Sequence, residues 1–229
     1  MNETMIYYGL TLLALIITLG AQMFISASYS KYSKVRTKRG LTGEQAARLM
    51  LDRNGLRDVT VTPVEGTLTD HYDPRKKTVR LSRNVYSGNS VAAVAVACHE
   101  CGHAVQDSKG YAMMKIRSAL VPVTNLASRA GYIAILVGLI FGSYTFVYAG
   151  ILAEAVILLF QLVTLPVEIN ASRRALAQIK DSGLLAVDEY PQGRTVLAAA
   201  ALTYVAGVIS VLLQIFRLII LFGGRRDRR

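Results

Sequence analysis

Long uncharged apolar stretches alternate with polar ones along this chain, and that alternation predicts its architecture. Tyr7 to Ile25 carries no charge and matches the ~20 residues a bilayer crossing needs. A second apolar block runs from Leu120 to Val167, interrupted only by Arg129 and Glu154. It is too long for one helix and too short for three. Gly142-Ser143-Tyr144 or Tyr148-Ala149-Gly150 offers the turn, which predicts helices over roughly 120–141 and 146–166. Val196 to Phe216 is uncharged again and reads on past Arg217 to Phe222. The pattern predicts four hydrophobic helices. Glu3 is the lone charge in Met1 to Tyr8, and the first apolar core exceeds a signal-peptide h-region, so it reads as a retained anchor.

The polar stretches carry shorter periods. Leu41-Thr42-Gly43-Glu44 opens a helical pattern with Ala46, Ala47, Met50 and Leu51 on its apolar side, ending at Asn54-Gly55. Val59 to Val64 reads as a strand, placed at an edge by Pro63. A turn at Asp70 to Pro74 precedes a second strand at Thr78 to Leu81. Gly88-Asn89-Ser90 then starts a helix over Val91 to Val105. Pro166 reads as a helix start, with a helix to about Ile179 and a loop over 184–195. The organisation expected is a transmembrane helix at 1–26 and a catalytic unit at 27–119. A membrane hairpin at 120–166, a helix and loop at 167–195, and a last hydrophobic helix with basic tail at 196–229 follow. The fold class is a mainly α membrane protein with about four hydrophobic helices and a small α+β unit, which is too small to bury much core alone.

Composition agrees: 52% of residues are apolar and the mean hydropathy is +0.37. The net charge of +11 does not signify nucleic acid, because the cations flank the apolar runs. Lys31, Lys34, Arg36, Lys38 and Arg39 follow the first; Lys109, Lys115 and Arg117 precede the second. Such clusters meet anionic head groups and orient a protein with its basic side in the cytoplasm. The chain is thus expected as a multi-pass cell-membrane protein with 27–119 cytoplasmic. Arg225, Arg226, Arg228 and Arg229 pull the other way, since four crossings would put that tail outside.

The candidate chemistry sits at His99-Glu100-Cys101-Gly102-His103, which matches H-E-x-x-H. Histidines at i and i+4 share a helix face and can ligate one Zn²⁺, with the glutamate between them as general base. Only three histidines occur in 229 residues, and two are here. Cys98 and Cys101 point away from the bisector of the two histidines and read as small packing residues. A catalytic zinc needs a third protein ligand, and no histidine follows His103. The candidates are His71 upstream or a downstream carboxylate. Two crossings return the chain to the side it left, so Glu168 would share the face of the motif and complete a His₂Glu set.

Three stretches resemble the YugP-type neutral zinc metallopeptidases: Leu68 to Pro74, Val96 to Gln106, and Thr164 to Ser172. The similarity runs over nearly the whole chain, including Ala201 to Val205. The family resembles, more distantly, the membrane gluzincins of the HtpX and CAAX-prenyl-protease kind. The resemblance implies H-E-x-x-H plus a downstream glutamate, which supports Glu168. Those enzymes often carry an acid four positions after that glutamate to orient a histidine; here Ser172 stands there. The expected chemistry is peptide hydrolysis, with Glu100 shuttling the proton of the attacking water to the leaving amine. Zinc, with His71 or Tyr204 as a further donor, would stabilise the oxyanion. Expected partners are the lipid bilayer and protein or peptide substrates, membrane or misfolded proteins among them. A non-catalytic zinc-binding or scaffold protein is the alternative, and an intact Glu100 argues against it. A metal transporter fits poorly because few ligands fall mid-membrane. Glu154, within an apolar run, reads as interfacial.

Overall fold

The computed structural model describes residues 3–223, with side chains over 5–221. The arginines of the tail, Arg225 to Arg229, lie outside the described residues. The protein is mainly α-helical with one small sheet. In chain order the elements are α1 (Glu3–Tyr32), α2 (Gly43–Arg53), β1 (Thr60–Val64), β2 (His71–Asp73) and β3 (Thr78–Ser82). They continue with α3 (Arg83–Tyr86), α4 (Val91–Ser108), α5 (Ala112–Phe141), α6 (Tyr144–Asp181) and α7 (Tyr190–Gly223). Among the described residues, α1, α5, α6 and α7 are long and apolar enough to cross a membrane.

The chain divides into two units. One comprises the chain up to Gln22, Ile116–Leu165, and α7 from Thr203 on. In it α5 and α6 pack closely through small residues, Gly131 against Ala153 and Gly138 against Val147, while α1 and α7 also share polar contacts. Thr18 on α1 shares a 2.8 Å hydrogen bond with Ser210 on α7, and Arg217 donates to Thr11 Oγ1 at 2.9 Å. The α5–α6 turn falls at Gly142, whose φ of +64° is a left-handed conformation that glycine adopts without strain.

The other unit comprises Met23–Lys115 and Pro166–Leu202. Its sheet has the order β1-β3-β2, with β3 parallel to β1 and antiparallel to β2. Pro63, unable to donate to a ladder, indeed lies on an edge strand. Thr42 caps α2 in a reciprocal capping box with Gln45, and Ser90 caps α4 by accepting from the Ala93 amide. Ala46, Ala47, Met50 and Leu51 of α2, Val79 and Leu81 of β3 and most of α4 form the buried core, joined by Ala175 and Ile179 of α6. The core therefore draws on two chain segments separated by the apolar block.

The turn expected at Asp70 to Pro74 holds strand β2, because His71 to Asp73 pair with β3, and α5 starts at Ala112 rather than near 120. Two further helix boundaries differ from the expectation. Pro166 does not start a helix; α6 runs through it from Tyr144 to Asp181. Proline removes one i→i−4 bond, and the ladder resumes beyond it. Glu168 accordingly stands well inside α6, away from any helix N-terminus. The loop before α7 ends at Glu189 rather than 195, since α7 starts at Tyr190.

The far end of α6 is fastened by two arginines. Arg53 Nη1 donates to the Asp181 carbonyl and to Ser182 Oγ, and Arg39 Nη1 to the Ser182 and Gly183 carbonyls. Cations here satisfy orphaned carbonyls and the negative pole of the helix. Buried Glu189 binds two backbone amides, Lys38 at 2.7 Å and Ala186 at 2.8 Å, and so ties the segment after α1 to the loop before α7.

Candidate metal centre

His99 and His103 are one turn apart on α4, and their rings meet edge to face with centroids 4.9 Å apart. Glu168 arrives from α6. Its Oε2 lies 3.1 Å from His99 Nε2 and 3.4 Å from His103 Nε2. All three ligand atoms fall within 4.8 Å of one another, a grouping that could hold a metal ion. Glu168 and His103 are buried, and His99 is half-buried.

A glycine makes this meeting possible. A Cβ built on Gly102 would stand 2.6 Å from the Ala171 carbonyl oxygen, so α4 and α6 touch backbone to backbone at that point. Glycine in a helix interior costs up to about 1 kcal/mol relative to alanine, and the close approach explains its presence. We expect Gly102→Ala to force the helices apart at about 1–3 kcal/mol. The measurable result is a lowered melting temperature together with weakened zinc binding in a chelator competition. Unchanged zinc affinity would show that the approach does not matter.

The hydrogen bonds around the histidines decide which ring nitrogens face Glu168 as acceptors. Gln106 is fully buried, and its Nε2 donates to the Val167 carbonyl at 2.8 Å and to Asn170 Oδ1 at 3.0 Å. Its Oε1 is thus the atom 3.0 Å from His103 Nδ1. An amide oxygen only accepts, so His103 carries its hydrogen on Nδ1, and the neutral ring turns a lone pair on Nε2 towards Glu168. A lone pair and a carboxylate oxygen at 3.4 Å repel unless a proton or a cation lies between them. Burial alone pushes the His103 pKa down, but the Glu168 hydrogen bond and charge outweigh it and hold it raised. A divalent cation meets the same need, with His99 Nε2 as a third donor. His99 Nδ1 in turn lies 3.1 Å from Ser172 Oγ. Two imidazoles and a carboxylate, with the outer nitrogens of both rings engaged, suit Zn²⁺.

Glu100 is buried on α4 between the two histidines in sequence. Burial raises its pKa; the two histidines oppose this, while the charges of Glu168 and Asp70 add to it. Asp70 is held by the Ser82 amide at 2.7 Å and its hydroxyl. His71 stands exposed at the head of β2, its Nδ1 on the Thr69 carbonyl, and is not in the metal-capable group. Tyr204 belongs to the other unit. Cys98 and Cys101 are buried free thiols, and burial pushes Cys98 up to about 12, so neither is a poised nucleophile. Gln106, Asn170 and the close approach at Gly102 were not anticipated. Gln106 could have been found, since it follows His103 at i+3 on the same helix face.

The family described as "putative neutral zinc metallopeptidase" matches residues 7–223. The chain belongs to this zinc metallopeptidase family. It is also 44% identical over 223 residues to the "Putative membrane protease YugP" of Bacillus subtilis (strain 168), covering 97% of this chain and 99% of that one. No solved structure matches. The family match thus extends over the four apolar helices, α6 among them, as well as over α4, and spans both units.

Proposed function

We propose that this chain is a membrane-embedded zinc endopeptidase of the gluzincin kind, in which His99, His103 and Glu168 hold Zn²⁺ and Glu100 is the general base. The observation that carries this reading is the convergence of two imidazole nitrogens and one carboxylate oxygen beside a buried glutamate. Bound there, Zn²⁺ supplies a Lewis acid that polarises a carbonyl and lowers the pKa of water towards ~7. Glu100 takes the proton of that water as its oxygen bonds to the peptide carbonyl carbon. It returns the proton to the amine nitrogen as the C–N bond breaks. Gln106 keeps the His103 lone pair forward, and Ser172 lies where it can do the same for His99. Because Glu100 and Glu168 are buried, bulk water has little access to either carboxylate. Substrates are proteins at or in the bilayer, membrane or misfolded ones, as the four apolar helices and the membrane-protease name of the relative suggest.

The purified full-length chain should carry about one zinc and cleave a reduced, unfolded protein such as casein. Chelation should stop the cleavage, and added zinc should restore it. A chain that neither holds zinc nor cleaves would instead be the non-catalytic scaffold.

The basic clusters beside α1 and α5 support a cytoplasmic site. Both native cysteines are buried, so introduced ones report cleanly. Lys76→Cys and Val187→Cys, at exposed positions in the unit of the site, should resist an impermeant thiol reagent on intact cells and react after lysis. Labelling of intact cells would reverse the assignment.

A further inference from the structure

We propose that a groove between Phe24 of α1 and the start of α7 is a binding site for the head group of an anionic phospholipid. The groove has a volume of about 490 Å³ and is lined by Phe24, Tyr190, Pro191, Arg194, Thr195, Ala198 and Leu202. Its location along both helices is informative. Phe24 falls at the last turn of the uncharged run Tyr7–Ile25, just before the Lys31–Arg39 cluster. Arg194 stands two residues ahead of the uncharged run that opens at Val196. Both helices therefore change from apolar to polar at the groove, which is the head-group level of a bilayer.

The lining is graded in the same direction. Phe24 and Leu202 are exposed apolar side chains that offer a surface for an acyl chain. Arg194, on the polar side, is an exposed cation. The acids nearest to it in sequence are already engaged. Asp188 pairs with Lys38 Nζ at 2.8 Å, and Glu189 spends its two oxygens on the Lys38 and Ala186 amides. The Thr195 hydroxyl donates to the Pro191 carbonyl at 2.9 Å and has no proton left for an anion. One guanidinium without a carboxylate partner among the described residues, set above an apolar floor, suits a phosphate joined to a hydrocarbon chain. A soluble anion would leave the floor wet, and a zwitterionic head group would set its own ammonium against the guanidinium, whereas an anionic one brings the phosphate without a second cation. The site is independent of the peptidase reading.

The chain contains no tryptophan, so Phe24→Trp places a single tryptophan in the groove, excited selectively over the tyrosines at its long-wavelength edge. The variant is reconstituted in phosphatidylcholine bilayers, and quenching by dibrominated phosphatidylglycerol is compared with quenching by dibrominated phosphatidylcholine. The expected result is an association preference of about fivefold for the anionic lipid. Adding Arg194→Gln should bring the preference to about one. A reporter at Leu139→Trp, an exposed apolar position on α5, should show none. Equal quenching by the two lipids, or a preference that survives Arg194→Gln, overturns the proposal. So does loss of the preference on adding inorganic phosphate in modest excess at constant ionic strength, because the groove would then hold phosphate without the lipid.

Discussion

Glu100→Gln is expected to keep zinc and fold while turnover falls by about a hundred- to ten-thousand-fold, the usual contribution of a positioned general base. The amide is nearly isosteric with the carboxylate but cannot accept the proton of the attacking water. Burying a neutral amide also costs less than burying a charge, so the melting temperature should hold or rise. Zinc stoichiometry, thermal unfolding and cleavage of an unfolded substrate, measured on one preparation, separate the outcomes. Activity close to that of the unmodified chain would sink the proposed chemistry. Loss of zinc in the variant would mean that Glu100 acts on the site rather than on the reaction.

Glu168→Ala is expected to remove zinc. The carboxylate is the one group from α6 that meets both histidines, and without it two imidazoles remain, too few to compete with water and chelators. Loss of a mere outer partner of a ligand costs about 10–100-fold in metal affinity, and loss of a ligand should exceed that. His99→Ala and His103→Ala should behave alike. His71→Ala supplies the contrast. Its ring is exposed and bonds within its own loop, so zinc affinity should not change and stability should shift by no more than about 0.5 kcal/mol. Isothermal or chelator-competition titration of the four variants decides the matter. Zinc retained in Glu168→Ala and lost in His71→Ala would transfer the third-ligand role to His71.

What the sequence alone determined follows from local periodicity and composition. Uncharged runs of bilayer length predict helices wherever they occur, because no other structure satisfies backbone groups in lipid. The four runs correspond to α1, α5, α6 and α7. The i, i+4 spacing of His99 and His103 requires only that α4 be helical, which its alanines, valines and Ser90 cap secure. Pro63 marked an edge strand because a missing N–H is a property of the residue itself. Such features need no knowledge of what lies across the fold.

Only the tertiary structure decided what depends on two distant segments meeting. Pro166 is equally compatible with a helix start and with a long helix interrupted by one lost hydrogen bond. Nothing within a few residues of it distinguishes the two, whereas the structure carries α6 through it. Ser172 reads as a gap where an acid might stand, yet its hydroxyl lies beside His99 Nδ1 because α4 and α6 touch. Gln106 reads as one polar residue on an apolar helix. Its role in fixing His103 exists only because the Val167 carbonyl and Asn170 claim its amide nitrogen from the other helix. Gly102 governs all of this. A residue without a Cβ lets two backbones approach, but which backbone approaches is settled by the packing of the whole unit.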